Sequence, residues 1–152
     1  MKRIMFVCHG NICRSPMAEF IFKKMLFERN ICDISVSSCA TSTEEIWNGI
    51  GNPVYPPARE ELAKHGISCE GKRAVQLQKS DYEKYDIFIG MDSANIRNMH
   101  RIFGGDKDNK IRKLMDYTSR GGDVADPWYS DRFDVAYRDI YDGCKALIEV
   151  LE

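Results

Sequence analysis

No run of this 152-residue chain is apolar for long enough to cross a bilayer, which takes about 20 residues. Excess charge of either sign is missing too: 22 Lys and Arg stand against 23 Asp and Glu, a formal net charge of −1. So balanced a chain has no net field to draw it to nucleic acid or an anionic membrane, and neither is expected as a partner. Any anion it binds must be held by a local site. Metal-ligand spacing is lacking as well, because no second close pair joins Cys8 and Cys13, so no metal or cofactor is expected. Nor is a secretory leader expected, since the apolar run Ile4–Val7 is short and Cys8–Arg14 is polar. The six cysteines (Cys8, Cys13, Cys32, Cys39, Cys69 and Cys144) therefore read as reduced thiols of a cytoplasmic protein, most of them packed as small hydrophobes.

What is present suffices for one core. Hydrophobic residues make up 43% of the chain, and a domain averages about 100–200 residues, so residues 1–152 are read as a single domain. Arg3–Val7 is continuously apolar, the pattern of a strand buried on both faces. A polar, glycine-containing loop follows, then Ser15 as N-cap, Pro16 in the first turn, and a helix to about Arg29. Ile34–Ser38 reads as a second strand, and Cys39–Pro57, rich in glycine and proline, as loop with a short helical turn. Ala58–His65 is a helix closed by Gly66, and Ser80–Glu83 a helical turn. Asp86–Gly90 is a third strand, Asp92 to about Ile102 a helix, and Lys110–Met115 a fourth strand. After turn-rich Ser119–Asp123, the last helix runs from about Asp131 to Leu151, its apolar stripe being Phe133, Tyr137, Ile140, Cys144, Leu147 and Leu151. Short apolar strands alternating with helices give an α/β sandwich around a parallel sheet, with ligands at the carboxyl ends of the strands.

The loop after the first strand lies at that end. Cys8-His9-Gly10-Asn11-Ile12-Cys13-Arg14-Ser15 brings several backbone N–H groups toward one point, and Gly10 and Asn11 tolerate the left-handed dihedrals of an anion-holding nest. The helix dipole adds positive potential, and a thiol placed there is expected to be acidified. Arg14 supplies a planar fork for two phosphate oxygens. These parts make a thiolate nucleophile beneath a cradle for a tetrahedral oxyanion.

Cys-x5-Arg alone is a weak signal; its place between a buried strand and a helix strengthens it. The full string Val7-Cys8-x-Gly10-Asn11-Ile12-Cys13-Arg14-Ser15-Pro16 closely resembles the phosphate-binding loop of the low-molecular-weight protein tyrosine phosphatases. Two further segments agree with that family: Met91-Asp92-Ser93-x-Asn95, and the Asp-Pro followed by two aromatics in Ala125-Asp126-Pro127-Trp128-Tyr129. The resemblance covers essentially the whole chain. It implies a three-layer sandwich whose four-stranded parallel sheet has the order 2-1-3-4, with helices on both faces. It also implies hydrolysis of phosphotyrosine monoesters through a cysteinyl-phosphate, without a metal.

In that reading residues Cys8, His9, Gly10, Asn11, Ile12, Cys13 and Arg14 bind the phosphate, Cys8 attacks it, and Asp126 protonates the leaving oxygen. Ser15 is both an N-cap and a donor to the cysteine sulfur. Asn11, Ser38 and Asp92 support the loop. Trp47, Trp128 and Tyr129 lie in polar or glycine- and proline-rich segments, and are candidate walls for an aryl phosphate. Cys13 is either a small packing residue or, as the resemblance implies, a reversible redox partner of Cys8. His9 tunes the site or does nothing; His65 and His100 read as surface or packing residues. The expected partners are a phosphotyrosine-containing protein as substrate and inorganic phosphate as product, acted on by a monomer or weak dimer.

One departure stands out: where the family often has Gly-His-x-Ala-Arg, this chain has Gly71-Lys72-Arg73-Ala74-Val75. Other activities share the fold. Thioredoxin-coupled arsenate reductases need further resolving cysteines, which residues 74–92 lack. Arginine phosphatases resemble Cys-x-Gly-Asn-Thr, whereas Ile12 stands at that threonine position. A phosphocysteine carrier of a sugar-transport system needs no leaving-group acid such as Asp126.

Overall fold

Alternate residues of the first strand enter two different cores. In the computed structural model, which describes residues 1–151, Ile4, Phe6 and Cys8 of β1 (Lys2–Cys8) join one apolar cluster, and Met5 and Val7 join the other. This two-sided burial is why the strand reads as an unbroken apolar run. The chain continues through α1 (Arg14–Glu28), β2 (Ile34–Ala40), a small hairpin of β3 (Ile46–Trp47) and β4 (Ile50–Gly51), and α2 (Pro56–Lys64). Then come β5 (Ile87–Gly90), α3 (Ser93–Phe103), β6 (Ile111–Lys113), α4 (Pro127–Ser130) and α5 (Phe133–Leu151).

β1 pairs in parallel with β2 on one side and β5 on the other, and β5 pairs in parallel with β6. The order β2-β1-β5-β6 is the expected 2-1-3-4 of the four sheet strands. On one face, Met17, Ile21 and Phe22 of α1 pack against the sheet, and Ala58 and Leu62 of α2 and Ile140, Cys144 and Leu147 of α5 extend the same core around α1. On the other, Met99 and Phe103 of α3 meet Phe88. The chain leaves β1 toward β2 and later returns to β1's other side as β5. The crevice at that reversal, beyond the carboxyl ends of the strands, is where such sheets bind ligands. Cys8, Ala40 and Gly90 end their strands there.

Four local expectations change. Ser15 is not the N-cap: α1 begins at Arg14, Cys13 holds the cap position, and no side chain caps the helix. The serine hydroxyl is drawn to the Cys8 sulfur instead. The segment taken as loop between Cys39 and Pro57 contains the β3–β4 hairpin, turned by Asn48 and Gly49 with φ of 51° and 76°. The fourth strand is shorter than Lys110–Met115, because Leu114–Tyr117 winds into a 3-10 turn. The last helix starts at Phe133 rather than Asp131, and a separate short α4 that the sequence reading lacked precedes it, with Asp131 at φ 60° between the two.

Candidate active site

Carbonyl groups of the loop after β1 are tied outward. Thr41 N–H donates to Cys8 O at 3.0 Å, Ser42 N–H to His9 O at 3.1 Å, and Tyr55 N–H to Ile12 O at 2.9 Å. With those oxygens engaged on neighbouring loops, the amide edge turns inward. Asn11 makes the turn possible with φ 59°, the left-handed region an asparagine tolerates best after glycine.

The Cys8 sulfur is the focus of that edge. Asn11 N–H reaches it at 3.3 Å and Ser15 N–H at 3.4 Å, and the Ser15 hydroxyl lies 3.0 Å away. Donors converging in this way surround the sulfur as they would an anion. Residues 8–14 line a pocket of about 200 Å³ together with Glu44, Glu45, Asp126, Trp128 and Tyr129.

The direction of the Ser15 hydroxyl follows from a buried chain of polar groups. Glu19, 5% exposed, sits below the loop between Lys23 and Lys72. Its carboxylate only accepts, so Ser38 must spend its one hydrogen on Glu19 Oε1, at 2.6 Å. Ser38 Oγ then accepts from Asn11 Nδ2 at 3.0 Å, while Val75 N–H donates to Asn11 Oδ1 at 3.1 Å and fixes which way the amide faces. Asn11 Nδ2 also donates to Ser15 Oγ at 2.7 Å. The Ser15 hydrogen is left for the Cys8 sulfur, its other acceptor being Cys39 O at the longer 3.4 Å.

Arg14, 3% exposed, is pinned on the far side of the pocket floor. Its Nη1 donates to Asp92 Oδ2 and to Val124 O, both at 2.8 Å, and its Nη2 stands 3.6 Å from Asp126 Oδ2. Burial works against the charge, but Cys8, Asp92 and Asp126 outweigh it and hold the guanidinium's pKa above its ordinary value. Asp92 owes its position to α3, which it caps: Asn95 N–H donates to Asp92 Oδ1 at 2.8 Å. Asp126 caps α4, accepting from Trp128 N–H at 3.0 Å. Its other oxygen thereby faces Arg14.

Cys13 lines the same pocket as a free thiol. Burial first, and Cys8 second, push its pKa up to about 12, so it stays protonated beside Cys8. Trp128 packs on Tyr55 with ring centres 4.8 Å apart, and Tyr129 is exposed beside it. Trp47 stands apart: it projects from β3, 80% exposed, and does not line the pocket. His65 stacks on Tyr137 at 3.8 Å, away from the site. Sequence reasoning did not single out Glu19, Glu44 or Glu45. Glu19, at i+4 from Ser15 on α1, was detectable from helical spacing.

A protein-family model described as low molecular weight phosphotyrosine protein phosphatase matches residues 3–152. The chain belongs to that family. As a member it is a cysteine-dependent, metal-independent protein tyrosine phosphatase. It is 34% identical to the low molecular weight protein-tyrosine-phosphatase YfkJ of Bacillus subtilis, over 100% of this chain and 97% of the relative. The crystal structure of YfkJ superposes with a TM-score of 0.93, covering 99% of this phosphatase and 94% of that chain. The phosphatase PtpA of Staphylococcus haemolyticus is 35% identical, over 99% of this chain and 94% of its own. The structure of SP-PTP from Streptococcus pyogenes, also 35% identical, gives a TM-score of 0.86, with 100% and 94% of the two chains covered. Among the described residues of this phosphatase, no helix is long and apolar enough to cross a membrane.

Proposed function

We propose that Cys8, Arg14, Asp126 and Ser15 carry out a double displacement on protein phosphotyrosine. The observation that carries this assignment is the convergence of Asn11 N–H, Ser15 N–H and the Ser15 hydroxyl on the Cys8 sulfur, at 3.3, 3.4 and 3.0 Å, on the floor of a pocket bordered by Asp126. In the first step the sulfur electron pair forms the S–P bond. The P–O bond to the tyrosine breaks, and the phenolic oxygen takes the proton of Asp126. In the second step water attacks phosphorus and gives its proton to the Asp126 carboxylate. The S–P electron pair returns to sulfur, where the Ser15 hydroxyl and the two amides stabilise it.

Arg14 and the loop amides meet the equatorial oxygens as charge spreads over them. Asp92 and Val124 hold the guanidinium in plane, and Asn11 and Ser38 hold the loop. Trp128 and Tyr129 flank the phenyl ring of the substrate. Cys13 is assigned as the redox partner of Cys8: once a peroxide has oxidised Cys8 to the sulfenic acid, the Cys13 sulfur attacks the Cys8 sulfur, the S–S bond forms, and the S–O bond breaks with release of water.

The test is a side-by-side assay on phosphotyrosine, phosphoserine, phosphoarginine and arsenate. Wild type is expected to turn over phosphotyrosine alone at an appreciable rate. Cys8→Ser should abolish turnover while still binding phosphate, and Asp126→Ala should lower kcat on phosphotyrosine by about 10²-fold or more. A Cys8→Ser variant as fast as wild type overturns the assignment, and preference for phosphoarginine overturns the substrate.

A further inference from the structure

Two carboxylates border a cradle made for a dianion. The pocket lining carries Glu44, Glu45 and Asp126 against only Arg14 and His9 as cationic groups. Arg14 is buried at the floor, where Asp92 and Asp126 already face its charge. What remains at the mouth is one half-exposed imidazole beside two glutamates, His9 Nε2 lying 3.0 Å from Glu44 Oε2. The aromatic wall of Trp128 and Tyr129 adds no charge. A rim of this sign does nothing to attract the phosphate itself, which the loop amides and Arg14 must hold. Its effect falls on whatever flanks the phosphate in the substrate.

The glutamates are not loosely placed. Ser42 straps their loop to the phosphate loop, its N–H and its hydroxyl both donating to His9 O, at 3.1 and 2.9 Å. Glu44 N–H in turn donates to Ser42 Oγ at 3.3 Å. Glu45 is fixed from the other side: Asn52 N–H donates to its carbonyl at 2.8 Å and Asn52 Nδ2 to its Oε1 at 3.0 Å. The Glu45 stem also lies against Gly10, where a Cβ would come within 3.3 Å of its Cγ. The negative rim is therefore built onto the loop that holds the phosphate, at a fixed distance from it.

We propose that Glu44 and Glu45 determine specificity, and that the preferred substrates are phosphotyrosyl segments carrying lysine or arginine next to the phosphotyrosine. The inference rests on the phosphotyrosine reading given above and adds the chemistry of the flanking residues. Opposite charge across the rim speeds encounter and holds the segment, and an acidic neighbour meets like charge.

The experiment compares kcat/KM for two phosphotyrosyl peptides of equal length, one with Lys and Arg flanking the phosphotyrosine and one with Asp and Glu. Para-nitrophenyl phosphate, which has no flanking residues, reports the chemistry separately. Failure of wild type to hydrolyse it removes the phosphatase reading itself. With that activity present, wild type is expected to prefer the basic peptide roughly three- to tenfold at low salt, with the preference shrinking as salt is added. Glu44→Gln/Glu45→Gln should bring the ratio near one, and Glu44→Lys should favour the acidic peptide. Should the double variant fold poorly, Glu44→Gln alone decides, since that side chain is 68% exposed. Equal use of the two peptides by wild type overturns the proposal, as does a preference that survives these substitutions.

Discussion

Lys72 donates from its ammonium group to the backbone carbonyl of Ser38 at 2.9 Å, with Glu19 Oε1 3.8 Å away. A lysine here reaches the buried cluster that orients the loop after β1. Its charge is held at a cost. Burial lowers the Lys72 pKa, and Glu19 only partly opposes that. The lysine thus serves position: it bridges the Ser38 carbonyl and Glu19, which accepts the Ser38 hydroxyl, and so holds the chain of hydrogen bonds that ends on Cys8. Lys72→Met should lower kcat several-fold with little change in KM, and Lys72→Arg should restore much of it. Stability of Lys72→Met near neutral pH should fall by about 1–3 kcal/mol, less than for a buried charge left with no partner, because Glu19 keeps Lys23 and Ser38. Because the folded pKa lies below the unfolded one, the unfolded chain binds more protons in the window between them. Wild type should therefore gain stability relative to Lys72→Met as pH rises through that alkaline window. Urea titrations at neutral and alkaline pH, with steady-state kinetics, check both. An unchanged kcat removes the positioning role.

The three aromatic residues proposed from sequence as walls separate cleanly in the fold. Trp128 lines the pocket and rests on Tyr55, whereas Trp47 points away from it on β3. Trp128→Ala should raise KM for para-nitrophenyl phosphate about three- to tenfold, the loss of one aromatic contact and its buried area. Trp47→Ala should leave that KM within about twofold, surface substitutions away from a site being near neutral. Equal effects of the two substitutions would show that the hairpin closes over small substrates.

Cys8, Arg14 and Asp126 were legible because each sits in a local pattern that chemistry constrains: strand, turn and helix start for the first two, Asp-Pro and aromatics for the third. Asp86–Gly90 and the last helix were legible from apolar runs and periodicity. The β3–β4 hairpin was not, although Asn48-Gly49 between Ile46-Trp47 and Ile50-Gly51 is a strong turn signal. Three nearby prolines hid it. Ser15 was half legible: the resemblance set its hydroxyl toward the Cys8 sulfur, where it lies, but Ser-Pro also reads locally as a helix start, whereas α1 begins at Arg14 with no side-chain cap. Lys72 and Val75 were not legible, because they meet Ser38 and Asn11 only across long stretches of chain.

Asp106 organises the turn before β6 and lies well outside the site. Its Oδ1 accepts from the Tyr82 hydroxyl at 2.6 Å and from Lys110 N–H at 2.7 Å, and its Oδ2 accepts from Ile111 N–H at 3.0 Å. Burial alone would raise its pKa, but these donors outweigh burial and hold it below the usual carboxylate value. A depressed pKa contributes stability above the unfolded value of about 4, and that stability is lost as pH falls through the folded value. Asp106→Asn should cost about 1–3 kcal/mol at neutral pH, with turnover of aryl phosphate unaffected. The gap between variant and wild type should narrow below about pH 4. A gap that stays constant with pH would show that the carboxylate charge contributes nothing.

Gly143 lies inside α5, where alanine ordinarily stabilises a helix by about 1 kcal/mol. Here the opposite is expected. A Cβ at this position would come 2.5 Å from Leu114 Cγ and 3.0 Å from both of its methyl carbons, and Leu114 is fully buried. Gly143→Ala should therefore lose about 1–3 kcal/mol in urea unfolding, as overpacked cores do. The double variant separates the clash from any general intolerance of the helix. Leu114→Ala alone should cost about 2–5 kcal/mol by leaving a cavity. On that background Gly143→Ala should become neutral or stabilising, because the new methyl enters the vacated space and the helix propensity is regained. If the two losses simply add, the contact between α5 and the turn after β6 is not what requires the glycine.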